Sequence, residues 1–354
     1  MNKADSKKVF VGLSGGVDSS VAALRLKNQG YQVVGVFIKV WQPDWLACNW
    51  EQERLDAMRV AAHLDVPFLT CDAEAAYRDE VGAYFIKEYQ AGRTPNPDVM
   101  CNQHVKFGAF LDFARAHGAD FIATGHYAQR AELGGAYQLL RGVDTNKDQS
   151  YFLWTLTQAQ LAQVLLPVGN STKAEIRAEA TNANIPVAQK KDSQGVCFLG
   201  QIDIPEFLSH YTDLVPGKVL SESGETIGEH QGALVYTLGQ RHGFVLHDTD
   251  TMRTPYYVVA KDTDSNTITV SSKPPVTNAE AITLTNCNWI PDTPKGAHLT
   301  AQFRYRQQPF AVSLTPVDTH TVLLHVTDTT EKPAAGQSCV LYDGMRCLGG
   351  GIIA

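Results

Sequence analysis

The sequence predicts an α/β protein with a doubly wound parallel sheet, followed by a small β-rich domain and a C-terminal β-barrel. Strand-length apolar runs alternate with helical periodicities from residue 8 to about residue 125, the pattern of a parallel sheet covered by helices. Beyond residue 205, short β-type runs separated by Gly, Pro and Thr replace that pattern. At 354 residues the chain is too long for one core, and we divide it into domains 1–204, 205–275 and 276–354.

The first half begins with a strand, a tight turn and a helix. Residues 9–13 form an apolar run followed by Ser and Gly, which predicts a buried strand entering a turn. Val17, Val21 and Leu24 recur at helical spacing before Gly30, so residues 18–29 are predicted to be helical. The same reasoning predicts strands at 31–40, 66–70 and 120–123, and helices around 55–62, 77–92 and 107–117.

The β-rich half is predicted from runs at 233–238, 256–260, 267–270, 301–305 and 321–326, with a hairpin turn at 262–266. Alternation from residue 301 to residue 306 would place Arg304 and Arg306 on one strand face, opposite Phe303 and Tyr305. Two arginines in a row suit phosphate or base contacts, and a tyrosine can stack on a base. A solvated barrel strand with an apolar inner face explains the same pattern.

Composition argues for a cytoplasmic protein. No apolar stretch reaches the roughly 18 residues that a membrane helix needs. Lys7 and Lys8 precede an apolar run as in a signal peptide, but that run breaks at once into Ser14-Gly15-Gly16. In the cytoplasm the seven cysteines are expected to be reduced. The net charge of −7 argues against a nucleic-acid partner for the chain as a whole, although it allows one basic face.

A glycine loop, Ser14-Gly15-Gly16-Val17-Asp18-Ser19-Ser20, lies between the first predicted strand and the first predicted helix. Two glycines let the backbone approach phosphate closely, and the helix N-terminus adds N–H groups and a favourable dipole. The sequence has no Gly-Lys-Ser/Thr of the Walker type, so transfer of the terminal phosphate is not predicted. A simple connecting turn is the alternative, but the serines and the aspartate favour a nucleotide site.

Cys101 follows a loop that two prolines, Pro95 and Pro97, restrain. We expect it at the start of a helix, where the dipole lowers the pKa of a thiol. Asp98 lies three residues earlier, close enough to exchange protons at the same site. The spacing equally allows a buried packing cysteine beside an N-cap aspartate. Cys101-x-x-His104 has the spacing of two metal ligands, but one pair does not make a site.

Cys197 lies in a second polar segment, which runs from Lys190 and Lys191 to Gly200. The lysines and the glycines around the cysteine favour an electropositive loop that would stabilise a thiolate or a persulfide. A solvated lysine pair beside an ordinary buried cysteine is the alternative. The remaining cysteines are predicted to be packing residues: Cys48, Cys71, Cys287, Cys339 and Cys347.

Taken together, these motifs carry a resemblance to one family. The glycine loop resembles that of the PP-loop ATP pyrophosphatases, which cleave ATP between its α and β phosphates. Nearly end to end, the chain resembles the bacterial tRNA-specific 2-thiouridylases. The resemblance includes Pro95-Asn96-Pro97-Asp98-x-x-Cys101-Asn102, Ala123-Thr124-Gly125-His126-Tyr127, Asn146-Lys147-Asp148-Gln149-Ser150-Tyr151-Phe152-Leu153, Lys191-Asp192-Ser193-Gln194-Gly195-Val196-Cys197-Phe198 and Arg304-Tyr305-Arg306-Gln307.

The resemblance implies a role for each candidate residue. Asn96, Pro97 and Asp98 would surround a uridine flipped out of its stack, with Asp98 as the acid/base. Ile38 and Gly125 would lie near the adenosine of ATP. The phosphates would be held by Gly12, Leu13, Ser14, Gly15, Gly16, Val17, Asp18 and Ser19. Further tRNA contacts would come from His126, Lys147, Asp148, Gln149, Arg304, Tyr305 and Gln337.

The resemblance also implies the reaction, in which ATP with Mg²⁺ adenylates the C2 oxygen of the wobble uridine U34, giving AMP and pyrophosphate. Cys197 would carry a persulfide that Cys101 attacks, which leaves a transient Cys101–Cys197 disulfide. An iron–sulfur cluster on Cys101, Cys197 and Asp98 needs the same residues; we favour the persulfide and expect no resident metal. Expected partners are the tRNAs for Lys, Glu and Gln, with sulfur from a cysteine desulfurase through a relay protein. We expect a monomer that contacts no membrane.

Two other functions stay open at this point. PP-loop enzymes also aminate small metabolites, as in argininosuccinate or GMP synthesis, and that chemistry needs no pair of loop cysteines. A non-catalytic RNA-binding protein with a relict nucleotide fold would keep the arginine run without cleaving ATP.

Overall fold

The computed structural model describes residues 7–46, 50–191, 203–247, 255–277, 281–294, 299–327 and 330–354. Cys48, Cys197 and the rest of segment 192–202 lie outside the described residues. The first strands are β1 (Lys8–Gly12), β2 (Gln32–Lys39), β3 (Phe68–Asp72), β4 (Phe121–Ala123), β5 (Ala128–Leu133), β6 (Ala136–Arg141) and β7 (Val164–Leu165). The helices are α1 (Val17–Asn28), α2 (Trp50–His63), α3 (Glu74–Tyr77), α4 (Ala83–Gln90), α5 (Pro97–Met100), α6 (Phe110–Ala116), α7 (Gln158–Leu161), α8 (Lys173–Asn182) and α9 (Ile204–Ser209).

A parallel sheet with strand order β3-β2-β1-β4-β7 forms the centre of the first half. Val9 and Val11 of β1 contribute to one core and Phe10 to the other, because successive side chains of a strand point to opposite faces. Helices α1 and α8 cover the Val9 face through Val21 and Ile176, and α4 and α6 cover the opposite face. The predicted doubly wound sheet is confirmed, with each predicted strand boundary within two residues of the observed one.

The helix predicted around 55–62 is observed as α2, and only part of that range is buried. Ala57 and Val60 of α2 are fully buried, whereas Leu55 and Met58 are about 40% exposed. The helix predicted at 77–92 is observed as α3 and α4, joined by a π-helical turn at Arg78–Gly82. In the described part of the chain, no helix combines the length and the apolar character needed to cross a membrane.

The helix predicted at 107–117 starts ten residues earlier, at Pro97. It runs from α5 through the π-helical stretch Cys101–Ala109 into α6. Asn96 caps it: the Asn96 Oδ1 accepts a hydrogen bond from the Val99 N–H at 3.3 Å, and proline occupies the first helical position. Cys101 is therefore not at the start of its helix, as predicted, but more than one turn inside it.

The middle sheet contains β8 (Gly217–Leu220), β9 (Thr226–His230), β10 (Phe244–Leu246), β11 (Tyr257–Asp262) and β12 (Thr267–Ser271), in the order β10-β9-β8-β12-β11. The predicted hairpin is confirmed, because β11 and β12 are antiparallel neighbours. The strand predicted at 233–238 is wrong: Ala233–Val235 is a 3-10 turn. The Ala233 N–H donates to the Asn266 side chain at 2.9 Å, so this backbone bonds a side chain instead of a neighbouring strand.

The last strands are β13 (Val276–Thr277), β14 (Ala281–Trp289), β15 (Leu299–Gln302), β16 (Phe310–Pro316), β17 (Val322–Val326), β18 (Thr330–Glu331), β19 (Ser338–Asp343) and β20 (Arg346–Ile353). A closed barrel with the order β14-β17-β16-β15-β19-β20 confirms the predicted architecture, because β20 pairs back to β14. The run predicted at 301–305 is a strand only as far as Gln302. Arg306 has a φ of 64°, so the backbone turns there, and the alternation of Arg304 and Arg306 on one strand face is wrong.

The first half also contributes to the barrel sheet. Strands β5 and β6 form a hairpin, and β6 pairs with β20 through Leu139 opposite Cys347 and Leu140 opposite Arg346. Arg141, the last residue of this hairpin, donates to the Asp148 carboxylate at 2.9 Å and lies over the Tyr342 ring at 3.4 Å. The first half and the barrel are therefore joined by backbone pairing and by the contact of the Arg141 guanidinium with the Tyr342 ring.

The predicted packing role is confirmed for the described cysteines to which it was assigned. Cys71, Cys287, Cys339 and Cys347 are buried and unpaired. Burial raises the pKa of the Cys71 and Cys287 thiols to about 11 and that of Cys347 to about 12, and it also raises the pKa of Cys339. These groups are protonated thiols at neutral pH, which makes them poor nucleophiles.

Candidate active site

The glycine loop follows the carboxyl end of β1 and leads into α1. The Ser14 and Ser19 hydroxyls lie 3.3 Å apart, and the Ser19 hydroxyl donates to the Gly16 carbonyl at 3.2 Å. Ser20 donates to the same carbonyl at 2.7 Å. These bonds hold the turn in one shape. Because the first N–H groups of a helix have no acceptor within it, the loop and the helix start can bind an anion such as phosphate.

Two glycines let neighbouring backbone contact this loop directly. Gly15 has a φ of 69°, and a Cβ there would lie 2.6 Å from the Glu53 carbonyl oxygen of α2. A Cβ on Gly125, which follows β4, would lie 2.6 Å from the Ser19 backbone nitrogen. Neither position has room for a side chain, so the loop is enclosed between α2 and the segment after β4.

The residues predicted to contact adenosine lie beside the loop. Gly125 follows β4 and Ile38 is near the end of β2, and both strands flank β1. A Cβ on Gly12 would be 3.5 Å from the Ile38 Cδ1. The carboxyl ends of adjacent parallel strands are where open α/β sheets bind ligands, so the three residues lie at one candidate binding edge of the sheet.

Asp18, the aspartate of the loop motif, is held by two side chains from distant segments. The Lys173 ammonium donates to both carboxylate oxygens, at 2.7 and 2.9 Å, and the Tyr127 hydroxyl donates to one of them at 2.7 Å. Lys173 is the first residue of α8, and its side chain is 13% exposed. The cluster places a cation beside the start of α1, where it would add to the attraction for nucleotide phosphates.

We expect Lys173→Met to raise the KM for ATP by about tenfold, because the variant removes one of the cations beside the loop. Arg25→Met is the matched control. Arg25 also joins α1 to α8, through a 2.6 Å ion pair with Glu179, and it lies at the other end of α1. Steady-state pyrophosphate release at varied ATP measures both variants. An equal rise in KM in both would show that Lys173 acts only by holding α8 in place.

A second charged cluster lies where Lys190 meets the acidic residues of α2, the helix that Gly15 of the loop contacts. Lys190 donates to the Asp56 carboxylate at 2.8 Å. Burial opposes ionisation of Asp56, but the hydrogen bond and charge of Lys190 outweigh it and lower the pKa of that carboxyl. Burial raises the pKa of Glu53, against the opposing charge of Lys190. Lys190 is predicted to belong to an electropositive loop, but the Asp56 carboxylate of α2 partly neutralises its positive charge.

Asp98 and Cys101 lie three residues apart on the helix that Asn96 caps, so their side chains are neighbours on one helix face. Asp98 is partly exposed and Cys101 is 3% exposed. The alternative in which Asp98 is the N-cap is wrong, because Asn96 fills that position. Helix α6 contacts the loop region, since a Cβ on Gly12 would be 3.6 Å from the Phe110 ring.

Three of the residues predicted to touch tRNA have internal contacts. His126 is 8% exposed, and its Nδ1 lies 2.7 Å from the Thr124 hydroxyl. Burial lowers the pKa of His126 well below its ordinary value, so the ring is neutral and offers no charge to a phosphate. Asp148 is 8% exposed and pairs with Arg141, and the Gln149 Oε1 accepts from the Tyr127 N–H at 2.9 Å. These contacts order the local backbone.

The other predicted tRNA contacts lie between the domains or on the surface. Lys147, Arg304, Tyr305 and Gln337 are all partly exposed. Arg304 donates to the Leu238 carbonyl of the middle domain at 2.8 Å, and the Tyr305 ring lies 4.6 Å from the Phe152 ring. Arg304 and Tyr305 are therefore already positioned by protein contacts, with part of each side chain left for another partner.

Sequence reasoning assigned no role to Lys173 or Tyr127, which the structure brings to the loop aspartate. The available signal was weak: Thr172 and Glu175 form a capping box that marks the start of α8, but a helix start does not say what lies opposite it. Among the described residues, no group of three or more His, Cys, Asp or Glu side chains could hold a metal ion.

Comparison with known families gives a match to three domain models. Residues 7–201 match the tRNA methyl transferase HUP domain, and residues 205–272 match the tRNA methyl transferase PRC-barrel domain. Residues 279–353 match the aminomethyltransferase beta-barrel domain. Together the models extend over nearly the whole chain.

Similar full-length proteins include the tRNA-specific 2-thiouridylase MnmA of Shouchella clausii, which is 43% identical over 100% of this chain and 98% of that protein. The MnmA of Alkaliphilus oremlandii is 45% identical over 100% of this chain and 99% of its own length. A crystal structure of a 4-thiouridine synthetase–RNA complex with bound ATP is 18% identical over 58% of this chain and 50% of that chain, with a TM-score of 0.36. Structural similarity at that level carries no information about function.

Proposed function

This chain belongs to the family of tRNA-specific 2-thiouridylases, and on that premise we propose how its residues divide the work of the reaction. The chain is a tRNA-modifying sulfurtransferase that converts uridine in tRNA to 2-thiouridine. Two of the matching domain models mention methyl transfer in their descriptions. The relatives that match over the whole chain, however, are 2-thiouridylases. Membership decides against the small-metabolite amination and the non-catalytic RNA-binding alternatives.

The first domain, 1–204, binds ATP on the loop from Gly12 to Ser19 and carries the chemistry. The loop and α1 hold the phosphates while Asp18 and Lys173 balance the charge. Lys173 and Tyr127 already donate to the carboxylate oxygens of Asp18, so Mg²⁺ would be held chiefly by the phosphate oxygens of ATP. When bound with ATP, Mg²⁺ would supply neutralisation of the phosphates. Domains 205–275 and 276–354 would then position the tRNA.

The observation that carries the sulfur-transfer proposal is the placement of Asp98 and Cys101 on one face of a capped helix. Asp98 would exchange the proton at the reacting uridine, beside Asn96 and Pro97. The Cys101 thiolate attacks the Cys197 sulfur of the persulfide, and the Cys101–Cys197 bond forms as the persulfide bond breaks. The terminal sulfur takes the electron pair, leaves as hydrosulfide and attacks the adenylated C2, from which AMP departs. A dithiol reductant must then reopen the disulfide.

Contact with the tRNA is assigned to partly exposed residues of the first domain and of the barrel domain. Lys147, Arg304, Tyr305 and Gln337 would contact the tRNA directly, and His126, Asp148 and Gln149 would act at the same surface as ordering residues. The substrates would be the wobble uridines of the tRNAs for Lys, Glu and Gln. The enzyme would work as a cytoplasmic monomer that receives sulfur from a cysteine desulfurase through a relay protein.

The test is mass spectrometry of tRNA after incubation with the enzyme, ATP, Mg²⁺, a dithiol reductant, and a cysteine desulfurase with cysteine as the source of persulfide sulfur. We expect exchange of one oxygen for sulfur, and Asp98→Asn should lower its rate by about 10²-fold because a general acid/base is lost. Asp112→Asn is the control, since Asp112 lies on the same continuous helix with its side chain 74% exposed. Unchanged tRNA with the wild-type enzyme would refute the proposal. If the purified enzyme contained iron and labile sulfide in stoichiometric amounts, the mechanism would use a cluster on Cys101, Cys197 and Asp98 instead of the persulfide.

A further inference from the structure

Thr94 lies where the three domains meet, two residues before the helix cap Asn96. Its hydroxyl lies 3.1 Å from the Thr237 hydroxyl of the middle domain. Its backbone N–H donates to the Ala335 carbonyl of the barrel domain at 2.8 Å. Thr94 is only 6% exposed, so water competes little for these contacts. One residue of the first domain is therefore bonded to the middle domain and to the barrel domain at once.

The barrel domain packs closely against the backbone of this segment. Gly336 has a φ of 88°, and a Cβ there would lie 3.0 Å from the Arg93 Cβ and 3.1 Å from the Thr94 backbone nitrogen. Arg93 is held in turn from the first domain, because its guanidinium donates to the Glu88 carboxylate of α4 at 2.7 Å. A shift of residues 93 and 94 against the barrel would therefore break several contacts together.

Both partners of this threonine adjoin a proposed tRNA contact. Arg304 donates at 2.8 Å to the carbonyl of Leu238, the residue that follows Thr237. On the barrel side, Gln337 follows Ala335 by two residues. The same two bonds therefore tie the segment proposed to surround the uridine to the surface proposed to hold the tRNA.

The chain from Thr94 to the helix that carries Asp98 is short and stiff. Pro95 and Pro97 fix φ at their own positions and favour extended backbone at the residues before them. Asn96, between them, is extended with a φ of −111° and a ψ of 92°, and both prolines are buried. A displacement of Thr94 is therefore transmitted to the helix start and is not absorbed by the connecting residues.

We propose that Thr94 is a positioning residue, whose bonds to the middle and barrel domains set the distance between the proposed tRNA contacts and the uridine site. This inference rests on the proposed function and adds a residue that acts through Asn96 and Asp98. The reaction at C2 depends on placing the uridine to within a fraction of an ångström, whereas tRNA affinity comes from the wider surface. Loss of the bond between the hydroxyls should therefore lower kcat and leave the KM for tRNA nearly unchanged.

Thr94→Val tests the proposal, because valine keeps the β-branched shape of threonine and replaces the hydroxyl by a methyl group. Thr155→Val is the matched control, since Thr155 is 8% exposed and its hydroxyl has no hydrogen-bond partner among the described residues. We expect Thr94→Val to lower kcat for sulfur transfer about tenfold, with the KM for tRNA within about twofold of wild type. Thr155→Val should keep kcat within about twofold.

Thr94→Ser gives a rescue, because serine retains the hydroxyl and should restore kcat to within about threefold of wild type. All rates are measured well below the melting temperature of each variant. The proposal is overturned by a wild-type kcat in Thr94→Val, by an equal loss in Thr155→Val, or by a serine variant as impaired as the valine variant.

A double-mutant cycle with Thr237→Val isolates the contact between the two hydroxyls. Each single variant breaks the same contact, so the double variant should lose no more activity than the more impaired single one. Multiplicative losses would show that the two threonines act separately, which also overturns the proposal. A wild-type enzyme that leaves tRNA unchanged would instead contradict the proposed function, so the two failures are distinguishable.

Discussion

Replacing Cys101 with alanine is expected to reduce sulfur transfer to tRNA by at least about 10³-fold, because the attacking thiolate is lost. ATP cleavage should survive for a single turnover, since the phosphate loop and Asp98 are unchanged. Mass spectrometry of the tRNA measures the first quantity, and tRNA-dependent pyrophosphate release in a single-turnover experiment measures the second. Two results in the variant would contradict the assignment of Cys101 as the nucleophile. One is sulfur transfer to tRNA without ATP cleavage, and the other is the loss of ATP cleavage together with sulfur transfer.

Cys71→Ala is the control for the loss of a buried sulfur. Cys71 lies in β3 of the parallel sheet, in the same hydrophobic cluster as Cys101, and is 1% exposed, against 3% for Cys101. Burial raises the pKa of the Cys71 thiol to about 11, so it takes no part as a thiolate at neutral pH. The variant should lose about 1 kcal/mol of stability at unchanged activity. If it lost sulfur transfer to the same degree as Cys101→Ala, packing rather than nucleophilicity would account for both.

Gly15→Ala is expected to lower kcat/KM for ATP by about 10³-fold, or about 4 kcal/mol of transition-state stabilisation. Two effects combine there. The backbone has a φ of 69°, which alanine adopts at a cost, and the new Cβ would lie 2.6 Å from the Glu53 carbonyl oxygen and 2.9 Å from the Asp56 Cβ. Since backbone cannot yield locally, α2 and the loop must separate, and the phosphate site loses its shape.

Gly30→Ala separates these effects. Gly30 follows α1 with a φ of 91°, and a Cβ there would have nothing within 4 Å among the described residues. It should cost about 1–2 kcal/mol of stability, with an unchanged KM for ATP. Thermal unfolding and ATP-dependent pyrophosphate release on both variants make the comparison. Equal KM values would mean that the contact between the loop and α2 is not needed for nucleotide use.

Local signals in the sequence were sufficient for much of the fold. The apolar run of β1, the helical spacing of α1 and the turn before β12 are properties of a few adjacent residues, and each was predicted nearly at its observed position. The start of the Cys101 helix was missed, although Asn96 and Pro97 are the residue types that begin helices, because two prolines were interpreted as a loop. The prediction of a strand through Arg304 is wrong, although apolar and polar residues alternate there as in a strand. The strand ends at Gln302, and the backbone turns at Arg306.

The sequence by itself determined the fold class, the position of the glycine loop between β1 and α1, and the three-residue spacing of Asp98 and Cys101, since each depends on residues a few positions apart. Only the tertiary structure decided what those groups contact. Lys173 reaches Asp18 across 155 positions, and Tyr151 reaches Ser338 across 187. The physical reason is that a hydrogen bond between distant segments depends on how sheets, helices and barrel pack together, and residue spacing contains no record of that packing.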